Sequence, residues 1–76
     1  MNTRKEVLYD KHAAGNRIRA SRKSLGLSRA QMAELIGKSE KYYADIERGY
    51  CGMSLETMIE ISRRLGFSLA YLLNGE

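Results

Sequence analysis

The side chains best suited to molecular recognition lie in one short segment, residues 39–48, which reads SEKYYADIER. In a helix, with about 100° between successive residues, Tyr43 and Ile46 share an apolar side and Glu47 lies at its edge. The opposite side is short or polar, and it is expected to face outward. Its members are Lys41, Ala44, Asp45 and Arg48, flanked by Glu40 and Tyr42.

These outward groups match the edges of DNA bases. Lys41 can donate to O6 and N7 of guanine, and Glu40 or Asp45 can accept from N4 of cytosine. Ala44 can contact the methyl group of thymine. A second interpretation stays open, in which Lys41 and Asp45, four residues apart, only pair with each other on a solvated face. Such a pair is worth about 0.2–0.5 kcal/mol.

The sequence contains no set of residues typical of a catalytic or metal centre. His12 is the only histidine and Cys51 the only cysteine, and neither grouped carboxylates nor a glycine-rich phosphate loop is present. We therefore expect no enzyme, no cofactor, no metal and no small-molecule substrate. No apolar run approaches the roughly 20 residues that span a bilayer, and the N-terminus lacks a secretory apolar region. We expect a cytoplasmic protein without a membrane partner.

Glycine and serine divide the chain into helices. Glycines follow the apolar-periodic segments where C-terminal caps occur, and serines suited to N-terminal caps follow them. The glycines are Gly26, Gly37, Gly49 and Gly66, and the serines are Ser28, Ser39, Ser54 and Ser68. The pattern predicts five helices, over residues 10–25, 28–36, 39–48, 54–65 and 68–73. Ser28 with Gln31 has the spacing of a capping box, and Ser54 is followed by Glu56 in the first turn.

The expected fold class is therefore an all-α bundle of five helices. Residues 13–76 form one domain, and residues 1–12 are an N-terminal extension or the start of the first helix. Apolar residues at helical spacing form the expected core, namely Ala14, Ile18, Leu25, Leu27, Met32, Ala33, Ile36, Tyr43, Ile46, Leu55, Met58, Ile61, Leu65, Phe67, Leu69 and Leu72.

The second and third predicted helices are joined only by Gly37 and Lys38. Two short helices around a tight glycine turn are typical of a helix-turn-helix, whose second helix enters the major groove of DNA. A simple structural hairpin has the same spacing and stays an alternative. Positive charge is concentrated at one end of the chain, which is compatible equally with a polyanionic partner and with a solvated basic face. Residues 1–25 hold Arg4, Lys5, Lys11, Arg17, Arg19, Arg22 and Lys23 against Glu6 and Asp10.

From residue 16 to residue 75 the chain resembles the Cro and lambdoid phage repressor (Xre-like) helix-turn-helix family. The matching elements stand in register: IR, RK and LGLS, then MAELIG, then IERG, then SLETM and YLL. The resemblance implies a compact five-helix lambda repressor-like domain, with the third helix as the reader of bases. It also implies a bacterial or phage origin.

The resemblance implies roles for individual residues. Base contacts are expected from Glu40, Lys41 and Asp45, in addition to Ala44, and Arg29 is expected to contact either a base edge or a phosphate. Phosphate contacts are expected from Lys38, Tyr42, Arg48 and the Tyr50 hydroxyl, and from Arg17, Arg19 and Lys23 unless these three form a solvated face. Arg22 and Glu47 are expected to form a structural ion pair.

Members of this family bind double-stranded operators as homodimers, and Leu69, Tyr71 and Leu73 of the fifth helix are the expected dimer surface. The chain is expected to act as a sequence-specific transcriptional regulator, and specifically as a repressor. The alternative is a protein-interaction module, such as an antitoxin or anti-repressor, in which the acidic groups of the third helix face a basic partner protein. Arg4 and Lys5 are either a flexible arm on DNA or an exposed terminus.

Overall fold

The structure is a computed structural model and describes residues 9–76. Within this range the chain forms five α-helices and no strand. They are α1 (Lys11–Ser24), α2 (Arg29–Ile36), α3 (Glu40–Arg48), α4 (Leu55–Leu65) and α5 (Leu69–Asn74). The predicted all-α, five-helix fold is confirmed, with helix ends that differ from the expected ones by one residue or so.

Each helix begins after a side chain that accepts a hydrogen bond from the backbone of its first turn. The caps are Asp10, Ser28, Ser39, Ser54 and Ser68. The capping box of Ser28 and Gln31 is present, with both reciprocal hydrogen bonds formed. At Ser54 the third helical residue is Thr57, so the serine pairs with a threonine hydroxyl and not with Glu56.

The core is built from side chains of all five helices. Its largest fully buried members are Ile18, Met32, Tyr43, Ile46, Met58, Ile61 and Leu72, all of which the spacing predicts. The prediction is wrong for two residues, because Leu25 is 53% exposed and Leu55 is 48% exposed. Leu25 caps the end of α1 and Leu55 begins α4, so each lies where the helix stops covering the core. Met53, in the loop before α4, is buried without having been expected.

Helix α3 is held mainly by α1 and α2, while α5 packs on α1 and α4. The approach of α1 to α3 is close at Gly15, where an added Cβ would lie 2.4 Å from the Glu47 carbonyl oxygen. Tyr9 ties the chain before α1 to the loop before α4, because its hydroxyl accepts a hydrogen bond from Met53 N at 2.9 Å. The expectations for Arg4 and Lys5 lie outside the described residues.

Candidate nucleic-acid interface

The turn between α2 and α3 is short and tightly hydrogen-bonded. Gly37 caps α2 with a φ of 69°, which its missing side chain permits, and Lys38 N donates to Ala33 O at 2.9 Å. Ser39 then caps α3 by accepting a hydrogen bond from Tyr42 N. The direction of α3 is therefore fixed at its first residue by the turn and cap together.

The outer side of α3 is polar and faces solvent. Glu40, Lys41 and Arg48 are exposed, and Asp45 between them is half-buried. Lys41 Nζ lies 2.9 Å from Asp45 Oδ2, and Arg48 Nη1 lies 3.5 Å from Asp45 Oδ1. The self-pairing of Lys41 with Asp45 is thus present in the free protein. Because 85% of the Lys41 side chain is exposed, water and salt screen this pair, and it costs little to exchange for another acceptor.

Ala44 does not belong to the open outer side, which corrects its expected position. Only 6% of it is exposed, and it lines a depression together with longer side chains from α1, α2 and the end of α3. The helical wheel gives the direction of Ala44 but not the reach of these neighbours. Tyr42 is half-buried and packs against the core.

Glu47 is buried in a network of charged and polar groups. Arg22 Nε donates to Glu47 Oε2 at 2.6 Å and Arg22 Nη2 donates to Glu47 Oε1 at 3.1 Å, so the ion pair implied by the resemblance is bidentate. The Tyr43 hydroxyl donates to Glu47 Oε2 at 2.5 Å. Arg22 Nη1 also donates to the carbonyl of Leu27 at 2.7 Å. This network joins α1 to α3 and to the turn before α2.

The environment of Glu47 shifts the pKa of both of its hydrogen-bond donors upward. Burial, followed by the hydrogen bond to the Glu47 carboxylate, raises the pKa of Tyr43 far above its usual value. The hydrogen bond to Glu47 raises the pKa of Arg22. The phenol therefore stays neutral and the guanidinium stays charged throughout the physiological range.

A depression lies between the start of α2, the middle of α1 and the end of α3. Its volume is about 360 Å³, and Glu47 lies at its floor. The other lining residues are Asn16, Arg19, Arg29, Ala44, Arg48 and Tyr50. Arg29 Nε is 3.6 Å from Glu47 Oε1, and the Arg48 guanidinium carbon is 5.8 Å from the centre of the Tyr50 ring. Three arginines expected at separate points of contact thus surround one cavity, which we call the arginine depression.

The basic residues of α1 divide between two faces. Arg19 and Lys23 are exposed and share a face with Asn16 and Ala20. Arg17 points elsewhere, since its Nη1 donates to the carbonyl of Leu72 at 2.9 Å. It therefore caps the C-terminal end of α5, where a cation is favourable, and no phosphate contact is proposed for Arg17. Residues 17 and 19 are two positions apart on a helix and cannot share a face.

The other expected contact residues are spread around the α2–α3 unit. Lys38 is exposed beside the start of α4, with Glu56 and Glu60 nearby. Tyr50 is 72% exposed in the loop after α3. The expected dimer residues Leu69, Tyr71 and Leu73 are half-buried, and the rings of Tyr71 and Phe67 lie 5.1 Å apart. The apolar surface of α5 therefore faces partly the core of the protein and partly solvent.

Asn16 and Gly15 are part of the site but were not expected from the sequence. Asn16 could have been found from its spacing, because Asn16, Arg19 and Lys23 recur at three and four residues along one helix face. Among residues 9–76, no three histidine, cysteine or carboxylate side chains lie close enough together to hold a metal ion. No helix in that part of the chain has the length and apolar character needed to cross a membrane.

Comparison with known proteins identifies the class of the molecule. The helix-turn-helix family model matches residues 18–72, and the chain therefore belongs to the helix-turn-helix family. It is 37% identical over 62 residues to the immunity repressor protein of Bacillus phage phi105, covering 82% of this chain and 43% of the relative. It is 34% identical over 61 residues to YonR of Bacillus subtilis strain 168, a prophage-derived HTH-type transcriptional regulator, covering 80% and 56%. The chain thus spans about half the length of these curated relatives.

Solved structures share the fold. The P22 c2 repressor, in complex with a synthetic operator, superposes with a TM-score of 0.79 at 33% identity, over 83% of this chain and 96% of the repressor. SinR, in a complex with the protein SinI, superposes with a TM-score of 0.75 at 32% identity, over 80% of this chain and 60% of the matched one. The expected lambda repressor-like fold is confirmed.

Proposed function

We propose that this chain is a sequence-specific double-stranded DNA-binding transcription regulator that reads the major groove with α3. The observation that supports the proposal most directly is the presentation of α3. Its inner side is fixed by Tyr43 and Ile46 in the core, while its polar outer side faces solvent beside the arginine depression. A rigid helix with donors and acceptors on its solvent-facing side is what base recognition in the major groove requires.

Base contacts are proposed for the exposed polar residues of α3. Lys41 donates to guanine, and Glu40 and Asp45 accept from cytosine or adenine amino groups. Binding exchanges the Lys41–Asp45 pair, worth about 0.2–0.5 kcal/mol at such an exposed position, for contacts with bases. Ala44 is buried, and no base contact is proposed for it.

Contacts to the phosphate backbone are proposed for basic residues around α3. Arg19 and Arg48 lie beside its C-terminal end, and Lys23 shares a face of α1 with Arg19. Lys38 lies just before its start. These residues fix the orientation of the protein on the duplex without reading its sequence. The named relatives support DNA as the partner, since one is a phage repressor and a structural neighbour was solved on an operator.

We further propose that two copies bind paired half-sites. Residues Leu69, Tyr71 and Leu73 of α5 retain partly exposed apolar surface that a second copy can cover. A symmetric dimer places its reading helices about one turn of DNA apart, roughly 34 Å. The proposal includes no catalytic step. The proposed location is the bacterial cytoplasm, for a protein encoded by a bacterium or by a phage.

A protein-interaction module is the second candidate function. The structure of SinR with SinI documents a protein partner for one relative of this fold. In this chain the support is the pair of carboxylates, Glu40 and Asp45, on the outer side of α3. They repel phosphates and would suit a basic protein surface.

The salt dependence of DNA affinity separates the two candidates. For a DNA-binding protein, the logarithm of affinity for a duplex falls linearly with log salt, by about 0.9 for each phosphate neutralised. For the wild type we expect a slope that corresponds to several neutralised phosphates. The control variant Arg63→Gln, on α4, should have the same slope as the wild type. Absence of duplex binding at low salt by folded protein would support the protein-interaction module instead.

A further inference from the structure

The loop that joins α3 to α4, residues 49–53, lies against the start of α1. We call this loop the α3–α4 loop, and we call residues 9–12 the N-terminal strap. The Tyr9 hydroxyl of the strap accepts a hydrogen bond from Met53 N of the loop at 2.9 Å. The helix-turn-helix family model matches residues 18–72. The strap therefore lies outside the part of the chain that the family model matches.

Two glycines of the α3–α4 loop allow the strap to approach closely. A Cβ added at Gly52 would lie 3.2 Å from Lys11 Cε and 3.5 Å from the Tyr9 hydroxyl oxygen. The φ of Gly52 is not positive, so its missing side chain serves the close approach and not an unusual backbone conformation. A Cβ added at Gly49 would lie 3.1 Å from His12 Cα. The strap thus lies against both ends of the loop.

The Tyr9 ring is anchored by the core of the protein. It is half-buried and packs against the core, as do Tyr42 of α3 and Cys51 of the α3–α4 loop. Burial raises the pKa of Tyr9, and the neighbouring Cys51 and Tyr42 add smaller upward contributions. The hydroxyl therefore stays protonated at physiological pH, and it lies beside α3 as well as beside the loop.

The other side of the α3–α4 loop belongs to the proposed DNA surface. Tyr50 is 72% exposed, and its backbone N–H donates to the Asp45 carbonyl at 2.9 Å. Its ring centre lies 5.8 Å from the guanidinium carbon of Arg48. One end of the loop is thus fixed to α3, and the hydrogen bond to Tyr9 fixes the other end.

A loop without the second attachment would sample more conformations, because two of its five residues are glycine. Only conformations that present Tyr50 beside Arg48 suit a duplex that approaches α3. The apparent affinity of a protein falls in proportion to the population of its binding-competent state. The attachment of the loop to the strap therefore affects DNA affinity even though the strap lies outside the helix-turn-helix unit.

We propose that Tyr9 is a positioning residue for DNA binding, which holds the α3–α4 loop, through the hydrogen bond from Met53 N, in the conformation in which Tyr50 meets the duplex. Tyr9 acts through the loop and does not contact DNA itself. The inference rests on the proposed function and adds a residue to it that the family model does not match. Loss of the Tyr9 hydroxyl lowers affinity and leaves the bases read by α3 unchanged.

Amide hydrogen exchange tests the attachment without DNA. Tyr9→Phe keeps the packed ring and removes only the hydroxyl. We expect the Met53 amide of this variant to exchange about threefold to tenfold faster than in the wild type, the effect of losing one hydrogen bond. The control is Ser62→Ala on α4, which removes a buried hydroxyl that donates to the Ile59 carbonyl. It should leave the exchange of the Met53 amide unchanged.

A double-variant cycle tests the role of the attachment in DNA binding. The wild type, Tyr9→Phe, Tyr50→Ala and the combined variant are titrated with a random-sequence duplex at low salt. We expect Tyr9→Phe to weaken binding by about threefold to tenfold when Tyr50 is present. In the Tyr50→Ala background the same change should weaken binding by less than about twofold, because no tyrosine remains to be positioned. Ser62→Ala should bind as the wild type does.

The outcomes separate the positioning role from the proposed function. Equal losses from Tyr9→Phe in the two backgrounds, or no loss in either, would overturn the role of Tyr9 while the proposed function stands. A Met53 amide whose exchange Tyr9→Phe does not change would overturn it as well. A folded wild type that binds no duplex would overturn the proposed function together with the positioning role. Melting temperatures establish that each variant is folded under the conditions of the titration.

Discussion

Glu47 is the residue on which the geometry of the candidate site depends most. Its carboxylate receives hydrogen bonds from Arg22 on α1 and Tyr43 on α3, and it contacts Arg29 on α2. One buried acidic group thereby sets the relative position of the three helices beside the proposed DNA surface. A buried ion pair adds little net stability compared with an apolar pair of similar shape, but breaking it by removing one partner is costly.

Replacing Glu47 with alanine should destabilise the fold. Glu47→Ala leaves Arg22 buried without its counter-ion, which costs about 3–5 kcal/mol. Chemical and thermal unfolding should show a marked loss of stability, with weaker DNA binding only as a consequence. Glu60→Ala, which removes partly exposed pairs with Arg63 and Arg64, should change stability by about 1 kcal/mol or less. An unchanged melting temperature for Glu47→Ala would contradict the structural role.

Tyr43 should make the protein sensitive to alkaline pH. Its pKa is raised in the folded state by burial and by Glu47, whereas the unfolded chain ionises near the ordinary value of 10.0. The stability linked to this shift is therefore fully present below pH 10 and is lost as the pH rises above it. In urea unfolding from pH 9 to 11, Tyr43→Phe should lose less stability with rising pH than the wild type. Tyr50→Phe, which alters an exposed tyrosine, should retain the wild-type slope. Equal slopes for all three proteins would refute this linkage.

The sequence predicted the outer side of α3 only in part. The positions of Glu40, Lys41 and Arg48 follow from helical period, because solvent exposure at the centre of an outward face depends on few neighbours. Ala44 and Arg17 were expected elsewhere, since their surroundings are set by helices distant in sequence. The hydrogen bond from Tyr43 to Glu47 was not expected either, because helical period predicts burial of a tyrosine but not the partner of its hydroxyl.

At the scale of elements, the crossing of α1 over α3 determines how α3 is presented. Gly15 has no side chain, and its Cα therefore approaches the backbone at the end of α3. An added Cβ would lie 2.4 Å from Glu47 O and 2.7 Å from Ile46 O, both backbone atoms that cannot rotate away. Such distances require the two helices to separate.

Gly15→Ala should therefore destabilise the protein, although alanine is about 1 kcal/mol better than glycine inside a helix. Overpacking of a close helix contact costs about 1–3 kcal/mol, so the net effect has the opposite sign to helix propensity. Asn16→Ala, at the next and exposed position, should change stability by a few tenths of a kcal/mol, roughly the range of surface substitutions. A Gly15→Ala protein that is more stable than the wild type in urea would show that the helices do not approach so closely.

Helix boundaries were the most predictable feature of the elements. Serine caps and terminal glycines act through local backbone hydrogen bonds, so they can be recognised in sequence without knowledge of the fold. Leu25 and Leu55 were misplaced because helical period was extended to the last residues of each helix. At those positions the chain turns away from the core, and the period no longer predicts burial.

At the scale of the whole molecule, the free apolar surface of α5 underlies the proposed dimer. Leu73→Asp should disrupt the dimer and weaken operator binding, because it places a charge in the proposed apolar contact. Light scattering and duplex titration measure the two effects. Ala70→Asp, at an exposed position of the same helix, introduces the same charge and should remain dimeric.

Circular dichroism must show that each variant is folded, because Leu73 is half-buried against the core and its replacement can also disturb the fold. Leu73→Ala, which removes apolar contact area without adding charge, should weaken the dimer and keep the fold. A folded Leu73→Asp protein that stays dimeric would contradict the assignment of α5 as the interface.

The overall architecture was predictable because each local signal agrees with the fold. The absence of proline, the five capped segments and the single short turn between α2 and α3 all favour the same helical bundle. The arginine depression was not predictable in this way. Its lining residues come from three helices and a loop, and their convergence depends on the α1–α3 crossing at Gly15.

Selection of binding sites from a random duplex library tests the central claim, that this chain reads DNA sequence with α3. The wild type and a Lys41→Ala/Asp45→Ala double variant are selected in parallel, with Arg63→Gln as a control outside the proposed interface. We expect a two-fold-symmetric motif for the wild type and Arg63→Gln, and a changed or absent motif for the double variant. Failure of the folded wild type to enrich any sequence at low salt, or the same motif from the double variant, would contradict it.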